Sequence, residues 1–253
     1  MPKVKIGVHV RPQHTTIDAL RAAWKAADEM GVDTITTWDH FHPLQGDPAG
    51  AHFECWSLLS AMAVDTKRAQ IGSMVCAVNY RNPDLLADIA RTVDHLSGGR
   101  LILGIGAGNS QRDHDDYDIP FGEPRDRLRA LKEALPRIKE RLAKLNPPPI
   151  GKVPIMIGGG GEQVTLRLTA QYADLWNGGG TPDGLRHKNQ VLDEWCRKLG
   201  RNPADIERTA NIPAAAPADQ IQAFADAGAD RLQLQWDHPF DTKPIEAALK
   251  LRG

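Results

Sequence analysis

Strand-like and helix-like segments alternate from one end of the chain to the other, and this alternation constrains the fold more than any other feature. Candidate strands are Val4–His9, Thr34–Thr37, Gln70–Cys76, Leu101–Ile105, Pro154–Ile157, Leu175–Trp176 with its neighbours, Ile206–Thr209 and Arg231–Gln235. Between them apolar residues recur at helical spacing, as in Ile17, Leu20, Trp24 and Ala27, or Leu85, Ile89, Val93 and Leu96. Gly31 follows the first helix, Pro83-Asp84 opens the third, and Gly98-Gly99 closes it. Strands that alternate with helices pair in parallel, and eight such units in 253 residues match a closed (β/α)8 barrel. A doubly wound open sheet would hold fewer units. No charge run or low-complexity linker divides the chain, and Asn146-Pro147-Pro148-Pro149 is the only stiff connector. Residues 1–253 are therefore expected to form one α/β domain, a TIM barrel. Pro136, inside an otherwise helical pattern, predicts a kink or break in the fourth helix.

Composition narrows the function classes. With 31 basic and 32 acidic residues the chain has no net charge that would draw it to nucleic acid or an anionic membrane. It contains no apolar run long enough to span a bilayer, and its start, MPKVKIGVHVRP, lacks a signal-peptide apolar stretch. Cys55, Cys76 and Cys196 are odd in number and far apart, which fits a reducing cytoplasm better than a disulfide framework. A soluble cytoplasmic protein acting on a small molecule is expected.

Barrel enzymes build their sites at the C-terminal ends of the strands, so those ends carry the functional reading. The second strand, Thr34-Ile35-Thr36-Thr37, runs straight into Trp38-Asp39-His40-Phe41-His42-Pro43, a carboxylate and two imidazoles among large aromatics. The first strand ends in His9, Arg11 and Gln13, the third in Cys76, Asn79 and Tyr80, and the eighth in Trp236, Asp237 and His238. Asp-His-x-His with Asp237 and His238 could hold a metal, but a metal-dependent hydrolase would also want ligands from the middle strands. Those supply glycines, a tryptophan and an asparagine. Gly158–Gly161 follows an apolar strand and precedes a helix-like stretch from Glu162, an arrangement that exposes backbone N–H groups to a phosphate. A second glycine run, Gly178–Gly180, strengthens the anion-binding reading over that of a merely tight turn. Gly104-Ile105-Gly106-Ala107-Gly108 lacks the context of a dinucleotide fingerprint; its small residues suit the approach of a flat ring.

Several linked segments resemble the luciferase-like monooxygenase superfamily, and within it the oxidoreductases that use the deazaflavin coenzyme F420. They are Trp38-Asp39-His40-Phe41, Asn79-Tyr80-Arg81-Asn82-Pro83, Leu96-Ser97-Gly98-Gly99-Arg100-Leu101 with Gly104–Gly108, and Ile155-Met156-Ile157-Gly158-Gly159-Gly160. The resemblance implies a luciferase-like (β/α)8 barrel with F420, or alternatively FMN, in its mouth, and a homodimer. It implies His40 as acid/base, and cofactor contacts from Asp39, Met74, Val75, Cys76, Gly108, Asn109 and Gly158, Gly159, Gly160 and Gly161. His9, Trp38 and Asn79 are candidates for the substrate pocket. It also implies a non-prolyl cis peptide at Ser73-Met74 or Met74-Val75. Where the sugar-phosphate dehydrogenases of this branch carry a tryptophan and a catalytic glutamate, this chain has Leu44 and Asn109, so a glucose-6-phosphate activity is not implied. The strand-four loop, Asn109 to Glu123, is the segment long and polar enough to act as a lid. Hydride transfer at a deazaflavin is thus the leading reading. An FMN-dependent monooxygenase or reductase, or a flavin-binding barrel without turnover, are its alternatives.

Overall fold

The computed structural model describes residues 4–251; Met1–Lys3 and Arg252–Gly253, part of the expected 1–253 domain, lie outside the described residues. In chain order the first half contains β1 (Lys5–Val10), α1 (Ile17–Met30), β2 (Thr34–Thr37), α2 (Cys55–Asp65), β3 (Gln70–Ser73), β4 (Cys76–Ala77), α3 (Pro83–Ser97), β5 (Leu101–Gly106), α4 (Gln111–Asp115) and α5 (Pro124–Lys144). The second half contains β6 (Ile155–Gly158), α6 (Thr165–Tyr172), β7 (Leu175–Gly178), α7 (Pro182–Lys198), β8 (Glu207–Pro213), α8 (Ala218–Asp226), β9 (Arg231–Trp236) and α9 (Lys243–Lys250). Every strand pairs in parallel, in the order β3-β2-β1-β9-β8-β7-β6-β5-β4, and a β3–β5 pairing closes the barrel. The fold is the (β/α)8 barrel expected from the alternation.

β3 and β4 are two pieces of one strand. Gly72 pairs with Ile102, and Cys76 pairs with Ile105, so four steps on this strand face three on its neighbour. That mismatch is a bulge. The peptide between Met74 and Val75, inside it, is cis.

Start signals work locally. The Thr16 hydroxyl caps α1 by accepting from Ala19 N–H, the Asn82 side chain accepts from Asp84 N–H at α3, and Gly31 and Gly98 close the two helices in the left-handed region. α5 runs through Pro136 as one helix, without a break at the proline. The carbonyl deprived of its N–H partner belongs to exposed Lys132, where water can take the place of the lost bond, while Leu131, Ala134, Leu135 and Ile138 keep the other face anchored.

Most of the apolar core lies between barrel and helices; a smaller cluster of Met74, Ile102, Met156 and Leu175 packs inside the barrel on the side of β5, β6 and β7. At the N-terminal end of the strands Arg231 closes the barrel by bonding Glu207, Thr34 and Gln70. Polar packing at that end leaves the opposite, C-terminal end to open as a mouth.

Candidate active site

The mouth holds a cavity of about 370 Å³. Of the sequence-predicted residues, His9, Trp38, Asp39, His40, Met74, Val75, Cys76, Gly108, Asn109, Gly158 and Gly159 line it. Gly160, Gly161 and Asn79 do not. Asn79 instead donates from Nδ2 to the Pro120 carbonyl at 3.1 Å, tying the end of β4 to the strand-five loop. α6 starts at Thr165, later than the helix-like reading from Glu162, because residues 162–164 form a turn. Thr165 lines the cavity in place of Gly160 and Gly161.

β2 delivers His40 to the wall, and α4 delivers its partner. His40 Nδ1 lies 2.6 Å from Asp113 Oδ2. Asp113 is fully buried and also accepts from the Tyr80 hydroxyl at 2.8 Å and from Phe41 N–H at 3.1 Å. Burial alone would raise its carboxyl, but the bonds from His40 and Tyr80 outweigh it and hold the group well below the usual carboxylate range. An ionised Asp113 can only accept, so His40 Nδ1–H donates a hydrogen bond to it and Nε2 is left as the nitrogen free to exchange a proton. Phe41 packs against Tyr80 and Tyr117, with ring centroids 4.7 and 4.4 Å away, covering the pair.

Asp39 does not pair with the neighbouring His40. It is buried against Arg81, whose Nη2 donates to Asp39 Oδ1 at 3.1 Å and to Glu54 Oε1 at 2.8 Å. Burial pushes the Asp39 carboxyl up, opposed by Arg81. Cys76 is buried beside it, and burial followed by the Asp39 charge pushes its thiol far above the ordinary range, so it is no nucleophile. His9 is held neutral: burial, then Arg11 and His40, lower it to about 3, and its Nδ1 sits 3.0 Å from the Thr36 hydroxyl. Burial likewise lowers His52 to about 4, leaving its Nε2 to accept from Trp38 Nε1 at 2.9 Å and fix the indole.

The Asp-His-x-His run splits between separate carboxylates, with His42 reaching Asp116 at 3.0 Å. Among the described residues no three His, Cys, Asp or Glu side chains gather as a metal cage. The glycines have distinct reasons. A Cβ on Gly106 or Gly158 would come within 2.9 Å of Val75 Cγ2, so both let the bulge side chain sit in the mouth. A Cβ on Gly178 would lie 2.5 Å from the Trp176 ring, whereas Gly179 and Gly180 stand in open space. That second run serves ring packing at Gly178 and does not line the cavity.

Sequence reasoning missed Asp113, gave Tyr80 and Arg81 no role in the site, and ended the seventh strand before Asn211, which also lines the cavity. One signal was available: Ser110-Gln111-Arg112-Asp113 has the spacing of a helix cap, and the Ser110 hydroxyl accepts from Asp113 N–H at 3.4 Å. Beyond that spacing, nothing local separates Asp113 from Asp115, Asp116 and Asp118.

Residues 3–248 match the family described as luciferase-like monooxygenase. Two similar relatives are named F420-dependent glucose-6-phosphate dehydrogenase. One, from Mycolicibacterium gilvum (strain PYR-GCK), is 26% identical over 238 residues, 84% of this chain and 69% of the relative. The other, from Amycolatopsis mediterranei (strain U-32), is 32% identical over 220 residues, 78% of this chain and 65% of the relative. The chain thus spans about two thirds of the length of these relatives. An F420-dependent secondary alcohol dehydrogenase solved with an F420-acetone adduct superposes with a TM-score of 0.85 at 17% identity, covering 99% of both chains. The F420-dependent tetrahydromethanopterin reductase of Methanopyrus kandleri gives 0.77 at 15% identity, covering 98% of this chain and 97% of that one. The barrel, its bulged third strand and the match over nearly the whole length lead to one assignment: the chain belongs to the luciferase-like monooxygenase family.

Proposed function

We propose that the chain is an F420-dependent oxidoreductase that moves a hydride between the deazaflavin ring and a small organic substrate, with His40 moving the accompanying proton. The observation that carries this reading is the His40 imidazole set at the cavity wall with its Nδ1 committed to a buried carboxylate. F420, when bound, supplies the ring carbon that gives or accepts the hydride. The residues present suit a flat ring with an anionic tail. The bulge side chains Met74 and Val75 form one wall, Gly106, Gly108 and Gly158 keep the space beside them open, and Asn109 and Cys76 complete it. Gly159, Thr165 and the backbone on through Gly160 and Gly161 would hold the phosphate-bearing tail. Asp39, fixed by Arg81, would contact the ring, and His9 and Trp38 would face the substrate.

His40 would act through Nε2, because Asp113 holds the other nitrogen as a donor. Leu44 and Asn109 both line the cavity, so the two departures from the sugar-phosphate dehydrogenase pattern fall inside the site. They support a substrate other than glucose 6-phosphate. By the same reading the molecule works as a cytoplasmic homodimer; no helix among the described residues is long and apolar enough to cross a membrane.

Titration with F420 and with FMN, followed by fluorescence, tests the cofactor: tighter binding of F420 is expected, and the reverse order would move the protein to FMN chemistry. A panel of small alcohols and carbonyl compounds, followed by cofactor absorbance, then supplies a substrate. His40→Ala should cut turnover about 10²–10⁴-fold with F420 affinity kept. Unchanged turnover would remove His40 from the reaction.

A further inference from the structure

Arg11 follows β1 at the barrel mouth, and the mechanism above does not use it. It lines the main cavity and also an adjoining one of about 510 Å³, which share Arg11 and Gln235 as a common wall. Its side chain is nine-tenths buried, with the guanidinium carbon 5.6 Å from the centre of the Trp38 ring.

The way its donors are used is uneven. Nη1 donates to Gln45 Oε1 at 3.0 Å and to the two Asp237 oxygens at 3.1 and 3.3 Å. Nε is buried with no partner, and among the described residues every hydrogen bond that Arg11 donates from its side chain comes from Nη1, leaving Nη2 unused. Nε–H and the adjacent Nη2–H form the side-on edge of the guanidinium, the edge that receives a carboxylate through two parallel bonds. That edge is filled at two half-exposed arginines, whereas Arg91, away from the cavity, likewise has a buried Nε with no partner. Arg21 gives Nε and Nη2 to Asp65 at 2.8 Å each, and Arg137 gives the same pair to Asp84 at 3.0 and 2.6 Å. Among the described residues Arg11 is also the one permanent cation lining the main cavity, and the one carboxylate there, Asp39, is already engaged by Arg81. Asp237 is half exposed and its contacts are long for a charge-assisted bond, so it leaves much of the Arg11 charge uncompensated.

We propose that the Nε/Nη2 edge of Arg11 is a carboxylate-binding site, and that the substrate of this protein is a small carboxylic acid held there with its reacting carbon towards His40. An oxyanion could also come from the cofactor's tail, but placement favours the substrate. β6, whose end carries Gly158, lies four strands from β1 in either direction around the barrel, so the phosphate wall and Arg11 stand on opposite sides of the mouth. His9 lies on β1 and Trp38 and His40 directly follow β2, on the Arg11 side. The inference names the substrate class of the site proposed above and rests on that cavity being the substrate cavity.

The test is calorimetric titration of butyrate and its neutral counterpart butyramide into wild type, Arg11→Met and Arg11→Lys, each without cofactor and after loading with F420. Wild type should prefer butyrate by at least about tenfold. Arg11→Met should abolish the preference and leave F420 affinity unchanged. Arg11→Lys, a point charge without the planar fork, should lose most of it. Equal or absent binding of the two probes to wild type overturns the proposal. So does an Arg11→Lys protein with undiminished preference, which decides the matter if Arg11→Met fails to fold. A loss confined to F420 affinity would give the edge to the cofactor tail and overturn the substrate assignment. If wild type binds no F420, the cofactor reading fails, while the cofactor-free titration still decides this one.

Discussion

At the scale of the residue, Asp113 sets the chemistry of the mouth. A fully buried carboxylate is costly unless its lone pairs are satisfied, and here three donors from two segments converge on it: His40 and Phe41 after β2, and Tyr80 after β4. The carboxylate therefore does two jobs, joining α4 to the end of β2 and fixing which imidazole nitrogen carries the proton. Asp113→Asn keeps the shape but removes the charge, and its amide can offer His40 a donor where an acceptor is needed. Loss of such an orienting partner typically costs 10–100-fold. Turnover should fall by about that factor with KM little changed. A drop in stability with turnover kept would assign Asp113 to structure alone.

At the scale of the element, the third strand is where the barrel departs from regularity. The bulge between β3 and β4 is packed by glycines on neighbouring strands. A Cβ on Gly104 would stand 2.0 Å from the Ser73 carbonyl oxygen, a backbone atom that cannot swing aside. Gly104→Ala should thus destabilise the fold by about 1–3 kcal/mol or more, as overpacking does, and lower cofactor affinity by shifting the bulge. Gly179→Ala, where nothing lies within 4 Å, should leave the urea midpoint nearly unchanged. Equal effects at the two positions would refute the packing account. The pair also shows what was legible in the chain. Alternation located the strands, because helix and strand periods differ and each unit repeats the contrast. Glycine runs marked the mouth, since few other features crowd glycines at strand ends. Which glycine touches what on another strand depends on register between strands far apart in sequence, so Gly104 against Ser73 could not be told from its neighbours, whereas Gly178 meets Trp176 two residues earlier on its own strand. The same holds for the site: His40 stood out in its own segment, while Asp113 meets it only because the strand-five loop folds back across the mouth.

At the scale of the whole molecule, the barrel interior is polar for much of its length, and that makes the fold sensitive to acid. Arg231 closes the bottom, Gln233 lies midway with both amide atoms buried and unpartnered, and His9 with Thr36 sits beneath the mouth. His9 has no room for a charge: its folded value is about 3 against 6.5 for the free side chain, by burial first and then by Arg11 and His40. Below pH 6.5 the unfolded chain takes up a proton that the folded one refuses until near pH 3. Its contribution to stability is complete above that window and shrinks as pH falls through it, by about 1.4 kcal/mol per pH unit. His52, lowered to about 4 but partly exposed, acts in the same direction more weakly. Asp113, Asp28 and Glu54, all held below the usual carboxylate range, add stability that is lost only below about pH 4. Asp39, pushed up by burial, works the other way, since its folded form takes up a proton more readily than its unfolded one. The balance gives two stages of acid weakening, the first belonging to histidine. Urea unfolding at pH 7.5, 6 and 5 should show stability falling steadily in the wild type. His9→Gln, neutral throughout, should flatten that slope even if it lowers stability at pH 7.5. A wild-type curve that is level from pH 7.5 to 5 would mean that His9 accepts its proton inside the barrel, and that the neutral wall on the Arg11 side of the mouth is charged under mild acid.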